Sequence, residues 1–210
     1  MPEISSAERR FNQVLRLFLS RHDSPVEFRA WPGPTRIAIV CVKESLTRQW
    51  DHEGWIPRGV LLVTFRSIQP LGGLQPALAA MAALTKRVVF IGDLDPVDLA
   101  TFVMLKSAAP RGLSVRYGGM DDEWLAKEKA SRTTPDATPY VKMPRTERRL
   151  WRALIDAYPA LERTIGSNSM QFLERGLKLE IEGACNLDWH GRTMCRYALR
   201  RALAVISPGT

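Results

Sequence analysis

The sequence has 210 residues, of which 45% are hydrophobic, so the chain can bury one sizeable core. Lysines and arginines outnumber acidic residues by 30 to 22, which gives a formal net charge of +8. No apolar run approaches the roughly 18 residues that a membrane span requires, and the first ten residues lack the layout of a signal peptide. We therefore expect a cytoplasmic protein that does not associate with membranes and whose partner is a polyanion, with nucleic acid as the first candidate.

The first predicted element is an amphipathic helix over residues 6–20. Within it, Phe11, Val14 and Leu15 recur at helical spacing on one face. Proline and glycine in residues 31–34 then break the chain. The three cysteines of the sequence lack the spacing of metal ligands, which argues against a zinc site and against a disulfide scaffold.

Four apolar runs rich in β-branched residues follow, and each has the composition of a strand that is buried on both faces. They cover residues 36–42, 59–65, 87–91 and 113–117. Helical patterns over residues 74–84 and 97–107 lie between them. The alternation of strands and helices predicts a parallel α/β sheet in which the carboxyl ends of all strands line one edge.

The second half of the chain has a different pattern. Residues 131–145 have the composition of a linker, and helices are predicted from residue 146, over about 169–185 and over about 191–205. We therefore expect an N-terminal helix in residues 1–30, an α/β domain in residues 31–130, a linker, and a helical C-terminal region in residues 146–210.

Acidic residues follow two of the predicted strands. Glu44 follows the first, Asp93 and Asp95 follow the third, and Asp98 lies one helical turn further on. Parallel sheets bind ligands in the crevice beyond their carboxyl ends, and carboxylate oxygens suit Mg²⁺ or Mn²⁺. An Asp-x-Asp pair also recurs by chance in ordinary loops. Its place after a buried strand, with a glutamate at another strand end, favours a metal site.

Two of these segments resemble motifs of the Toprim domain, which has a glutamate after its first strand and Asp-x-Asp after a later one. Residues 40–44 are similar to the first motif and residues 90–96 to the second. Toprim domains occur in topoisomerases, primases, overcoming-lysogenization-defect nucleases and the Wadjet nuclease subunit. Residues 62–70 and 113–120 resemble strands of type IIB topoisomerase A subunits, and residues 177–184 resemble their helical tail. The resemblance implies a Toprim-like parallel-sheet core flanked by helices, with a helical C-terminal tail.

The resemblance also implies a Mg²⁺-dependent (or Mn²⁺-dependent) DNA nuclease. Asp93 and Asp95 would hold the metal, with Asp98 as a further ligand, and Glu44 would be a general acid/base or another ligand. Ser45 stands where the family has a glycine. Such departures favour the alternative of a catalytically degenerate Toprim-fold protein that binds DNA or assembles complexes. Its partner would then be another protein chain or a second copy of itself.

The predicted nucleic-acid contacts are arginines. Arg192, Arg196 and Arg200 recur at intervals of four residues, so one face of the last predicted helix is basic. Such a face either contacts phosphates or is only solvated, and the spacing leaves both interpretations open. Arg66, which follows the second predicted strand, is the fourth predicted contact. Trp50 lies in a polar stretch, where it could pack in the core or stack on a base.

Overall fold

The computed structural model of the protein describes residues 4–19, 26–30, 33–65, 70–131, 140–181, 183 and 188–205. It is an α/β fold in which helices flank a mixed, mostly parallel sheet, and a long helix lies at the C-terminal end. No helix within these ranges combines the length and the apolar character that crossing a bilayer demands.

The main sheet has five strands in the order β1-β3-β2-β4-β5. Their bounds are Val26–Ala30 (β1), Ile37–Cys41 (β2), Val60–Phe65 (β3), Arg87–Ile91 (β4) and Ser114–Tyr117 (β5). The four strands predicted from apolar runs are confirmed, and they pair in parallel. β1 was not predicted. It pairs antiparallel with β3 at the edge of the sheet, and because its residues are exposed or half-buried it lacks an apolar run.

Nine α-helices are described within these ranges. They are Ser6–Leu15 (α1), Glu44–His52 (α2), Leu71–Leu84 (α3), Pro96–Ala108 (α4), Asp122–Ser131 (α5), Arg145–Ala157 (α6), Glu162–Ile165 (α7), Ser167–Glu174 (α8) and Asp188–Ala204 (α9). The N-terminal amphipathic helix is confirmed but ends earlier than predicted. α1 begins with a capping box between Ser5 and Glu8, and it packs against α6.

The helix predicted over residues 169–185 is wrong in its second half. α8 ends at Glu174, and Gly176 then takes a left-handed conformation with φ of +76°. Strand β7 (Leu177–Leu179) follows and pairs antiparallel with β6 (Tyr140–Lys142), which lies within the predicted linker. The alternation Leu-Lys-Leu has the period of a strand rather than that of a helix. We call β6 and β7 together the ribbon.

The buried side chains form one core that extends from Phe11 in α1 to Ala202 in α9. Trp50 belongs to this core, since it is fully buried and its Nε1 donates a hydrogen bond to the carbonyl oxygen of Cys195 at 3.0 Å. The base-stacking interpretation of Trp50 is therefore wrong, and the residue ties α2 to α9 instead. How the chain divides into domains stays a prediction.

Candidate metal centre

The strand order reverses between β2 and β4. From β2 the chain proceeds to β3 on one side, whereas β4 lies on the other side of β2. Such a switch point leaves a crevice beyond the carboxyl ends of the two strands, where open α/β sheets bind ligands. Lys43 follows β2, Asp93 follows β4, and they meet there, with the Lys43 Nζ atom 2.6 Å from Asp93 Oδ2.

Residues 92–98, which run from the end of β4 through the first residues of α4, are called here the acid turn. Asp95 caps α4, because its Oδ1 accepts a hydrogen bond from the Asp98 backbone nitrogen at 2.7 Å. Asp98 Oδ2 in turn accepts one from the Asp93 nitrogen at 2.7 Å. A Cβ atom on Gly92 would lie only 2.8 Å from Asp98 Oδ2 and 2.7 Å from Phe90 Cε1. Glycine at position 92 therefore lets the turn close on its own carboxylates.

The structure brings together the three aspartates that the sequence singled out. Asp93, Asp95 and Asp98 have exposed fractions of 0%, 6% and 5%. Each offers a carboxylate oxygen, and these oxygens lie within 4.8 Å of one another. Two oxygens that share one cation at about 2.1–2.6 Å can be up to about 4.2–5.2 Å apart. The spacing fits one divalent cation at the longer of these ligand distances, and around Mg²⁺ the oxygens would draw closer than 4.8 Å.

Burial raises the pKa of all three carboxyl groups. Desolvation, and then repulsion by Asp95, raises the pKa of Asp93 to about 7, although Lys43 and the backbone of Ile181 favour its charged form. Desolvation also raises the pKa of Asp95, and it raises that of Asp98 well above the ordinary range with help from its two acidic neighbours. Burial alone would lower the pKa of Lys43, but the surrounding carboxylates outweigh it and raise that pKa. The cluster therefore requires protons or a cation to offset its charge.

The ribbon covers the acid turn. Leu94 and Leu179 exchange two backbone hydrogen bonds, each of 3.1 Å. Just beyond β7, the backbone nitrogen of Ile181 donates to Asp93 Oδ1 at 2.8 Å. On the β5 side, the Tyr117 hydroxyl donates to the carbonyl oxygen of Asp93 at 3.3 Å. The site is thus completed by residues that lie far from the acid turn in the sequence.

A second group of charges adjoins the cluster on the ribbon. The Lys178 Nζ atom lies 3.2 Å from Glu147 Oε1 of α6 and 3.4 Å from Glu180 Oε1. Its positive charge also lowers the pKa of Asp95, although desolvation keeps that pKa raised overall. The beginning of α6 and the acid turn are therefore close enough to interact electrostatically.

Glu44 does not belong to the group of three aspartates. It is the first residue of α2, and its Oε1 forms an ion pair with the guanidinium of Arg48 one turn later. Lys43, the preceding residue, reaches the crevice instead. Sequence reasoning missed Lys43 because two polar residues follow the apolar run, and the backbone after Cys41 decides which one points inward. Three clustered acids need a nearby positive charge, and this requirement could have pointed to Lys43.

The predicted nucleic-acid contacts are only partly described. Arg196 and Arg200 are exposed on α9, and the Arg196 guanidinium lies over the ring of Trp55, 5.8 Å from its centroid. Arg66 and the side chain of Arg192 lie outside the described residues. Phosphate contact by this face stays a prediction.

Neither a protein-family model nor a curated protein matches this chain.

Proposed function

We propose that this chain is a Toprim-like protein that binds Mg²⁺ or Mn²⁺ through Asp93, Asp95 and Asp98 and acts on the phosphodiester bonds of nucleic acid, as a DNA nuclease. The observation that carries the proposal is the close grouping of three buried carboxylates at the switch point of a mostly parallel sheet. The Toprim-like order of motifs along the sequence supports it.

The charge of the cluster supports a divalent ion in particular. Three ionised aspartates and one lysine leave two formal negative charges. One divalent cation would neutralise both of them. Lys178 also favours ionised Asp95, but it is shared with Glu147 and Glu180. In the absence of metal, the raised pKa values show that protons offset part of the charge instead. Metal binding would then release protons.

Each residue has a definite task in this proposal. The aspartates hold the ion, Asp95 also fixes the start of α4, and Lys43 orients Asp93. A bound divalent ion supplies Lewis acidity, which neutralises charge on a phosphate and activates water. The ribbon excludes bulk solvent from the acid turn, and this strengthens every charge interaction within it.

A second candidate function is nucleic-acid binding or complex assembly without catalysis, by a degenerate Toprim fold. The observation that favours it is the position of Glu44, whose carboxylate pairs with Arg48 and is not part of the aspartate group. The carboxylate of the expected general acid/base is therefore held by Arg48 and is not one of the three grouped carboxylates. The ribbon contact over the acid turn points in the same direction.

Asp95→Asn is the sharpest test, because asparagine still caps a helix but offers no charge to a metal. We would titrate Mg²⁺ and Mn²⁺ into both proteins calorimetrically and incubate both with plasmid and linear DNA. The control is Asp51→Asn, which removes an acid that pairs with Arg29 on the surface. We expect wild type and the Asp51 variant to bind metal and cleave, and Asp95→Asn to do neither.

The other outcomes are equally informative. Cleavage of equal rate by wild type and Asp95→Asn would remove the acid turn from the mechanism. Metal binding without cleavage, together with salt-sensitive binding of DNA, would support the second candidate. Absence of metal binding by the wild type at millimolar concentrations would contradict both the metal site and the nuclease proposal.

A further inference from the structure

A groove next to α6 concentrates positive charge on the surface. The groove has a volume of about 580 Å³, and its lining carries no acidic residue within the part of the chain that the structure describes. Five arginines and one threonine line it, namely Arg10, Arg145, Thr146, Arg148, Arg149 and Arg152. We call it the arginine groove. It differs from the basic face of α9 that the sequence pointed to.

Helical spacing explains why the four arginines of α6 converge. They recur at positions i, i+3, i+4 and i+7, all of them exposed, whereas Leu150, Trp151 and Leu154 are buried on the opposite side of the helix. Arg10 joins them because α1 packs against α6. The four arginines of α6 thus form one basic stripe on its exposed side, next to Arg10.

Among the residues that the structure describes, few contacts neutralise this charge. Arg10 pairs with Asp156 at 3.4 Å, but both side chains are more than half exposed, so the pair contributes little. Arg148 donates from Nε to the carbonyl oxygen of Met143 at 3.2 Å, which fixes its position without cancelling its charge. Five like charges around one groove repel one another, and a polyanion would relieve that repulsion.

The beginning of α6 adds hydrogen-bond donors to the groove. Pro144 precedes the helix and provides no side-chain cap. The first backbone N–H groups of a helix have no partner within the helix, and they favour anions. Arg145 and Thr146 are the first two helical residues, and both line the groove. Guanidinium forks and backbone donors together match the oxygens of phosphate groups.

The arginine groove is also connected to the acid turn. The guanidinium of Arg148 lies against Gly176, because a Cβ atom there would be 2.8 Å from Arg148 Cζ. Gly176 immediately precedes β7, whose Lys178 interacts electrostatically with Asp95 and whose Leu179 bonds to Leu94. One short ribbon therefore contacts both the groove and the proposed metal centre.

We propose that the arginine groove binds the phosphate backbone of nucleic acid and guides it towards the acid turn, an inference that rests on the proposed function. The groove recognises phosphates rather than bases, since its lining is charged and contains no aromatic ring. Binding through it is therefore independent of sequence and falls steeply with salt.

The test compares three double variants by fluorescence anisotropy with a labelled DNA duplex of about 20 base pairs, in EDTA so that no metal is bound. Arg149→Gln with Arg152→Gln removes two groove charges. Arg196→Gln with Arg200→Gln removes two charges from α9. Lys86→Gln with Arg111→Gln is the control, because these exposed residues precede β4 and β5 at the opposite end of the strands.

We expect the groove variant to bind at least about tenfold more weakly at about 100 mM salt, and the slope of log K against log salt to fall in magnitude by about two. The control should bind as the wild type does. A groove variant that binds as tightly as the control would overturn the proposal. Wild-type binding to phosphatidylserine vesicles but not to the duplex would also overturn it.

The two proposals fail separately. The binding test contains no divalent ion, so a chain without metal affinity can still show groove-dependent binding. Conversely, metal titration of the groove variant measures the metal affinity of the acid turn, even when the groove proposal has failed. Asp95→Asn should bind the duplex in EDTA as the wild type does, or slightly more tightly because it carries one less negative charge.

Discussion

The acid turn and the arginine groove both concentrate charge of one sign, but they differ in exposure. The acid turn holds three carboxylates that are at least 94% buried, whereas the arginines of α6 are exposed. Burial shifts the pKa of every carboxyl group in the turn upwards. In the groove, solvent and salt screen the charges of the guanidinium groups.

The difference shows that solvent exposure decides what a charge cluster contributes to the protein. A buried cluster is part of the packed core, so its neighbours must be arranged around it, as Lys43 and Ile181 are around Asp93. An exposed cluster can vary with little effect on the fold and remains available to a partner. Removing charge should therefore affect stability in the acid turn and binding in the groove.

Replacement of Lys43 should have the largest effect on stability. Lys43→Met removes the partner of the fully buried Asp93, and breaking a buried pair on one side costs about 3–5 kcal/mol. Because Lys43 keeps some exposure, we expect a loss near the lower end of that range, about 3 kcal/mol, in urea unfolding at neutral pH.

The matched control is Arg10→Met, which breaks an ion pair with Asp156 on the surface and should cost at most about 1 kcal/mol. Addition of Asp93→Asn to Lys43→Met should restore part of the lost stability, since it removes the uncompensated charge. Equal costs for the two single variants would show that burial does not distinguish the two regions.

Metal binding should have the next largest effect. At a Mg²⁺ concentration about 100 times its dissociation constant, binding to a site present only in the folded state raises the free energy of unfolding by about 2.7 kcal/mol. For a chain of this size, that corresponds to an increase in Tm of roughly 5–10 °C. Calorimetric melting should show this increase for the wild type and lose it for Asp95→Asn. An equal increase in both proteins would place the metal elsewhere.

The pH dependence of stability should be modest over any one pH unit and of unusual sign. The folded pKa of Asp93 is about 7, against an ordinary value of 3.8. Between these values the folded protein retains a proton that the unfolded chain has released, so the free energy of unfolding falls as pH rises. The slope should reach at most about 1.4 kcal/mol per pH unit for one proton.

Urea unfolding of metal-free protein between about pH 4 and about pH 7 measures this slope. Comparison with Asp95→Asn cancels the contributions of the groups outside the acid turn, which the two proteins share. The repulsion that raises the Asp93 pKa is weaker in this variant. The free energy of unfolding of the variant, relative to that of the wild type, should therefore increase as pH rises. A difference that does not change with pH would contradict the raised pKa.

Substitutions in the arginine groove should have the smallest effect on stability. Arg149→Gln with Arg152→Gln changes two exposed residues. Surface substitutions usually change the free energy of unfolding by no more than about 0.5 kcal/mol. Thermal unfolding of this variant should match the wild type even where its DNA binding is weakened. A loss above about 1 kcal/mol would mean that these arginines are part of the folded framework.

The central sheet could be predicted from the sequence, because strands buried on both faces leave continuous apolar runs such as residues 87–91. The grouping of Asp93, Asp95 and Asp98 was also predictable, since one short turn carries all three. β1 and the ribbon were not, because short, half-exposed strands carry little hydrophobic signal and are stabilised by distant partners.

The partners of the acid turn were equally hard to predict. Lys43 meets Asp93 only after β2 and β4 have paired, and Ile181 meets it only after the ribbon has docked. Such contacts depend on the tertiary arrangement, which leaves no local pattern in the sequence. Glu44 is the opposite case, because a local pattern predicted that it would point into the crevice. The backbone after β2 directs Lys43 there instead.

The bond between Ile181 and Asp93 also has a consequence for the order of events during synthesis. The two residues are 88 positions apart in the sequence. At about 5–20 residues per second, a ribosome needs roughly 4–18 s to add the segment between them. Once residue 117 has been added, all five strands of the main sheet exist, but the acid turn still lacks its cover. A nascent chain would thus have an open cluster of carboxylates that is covered only after the ribbon has been made.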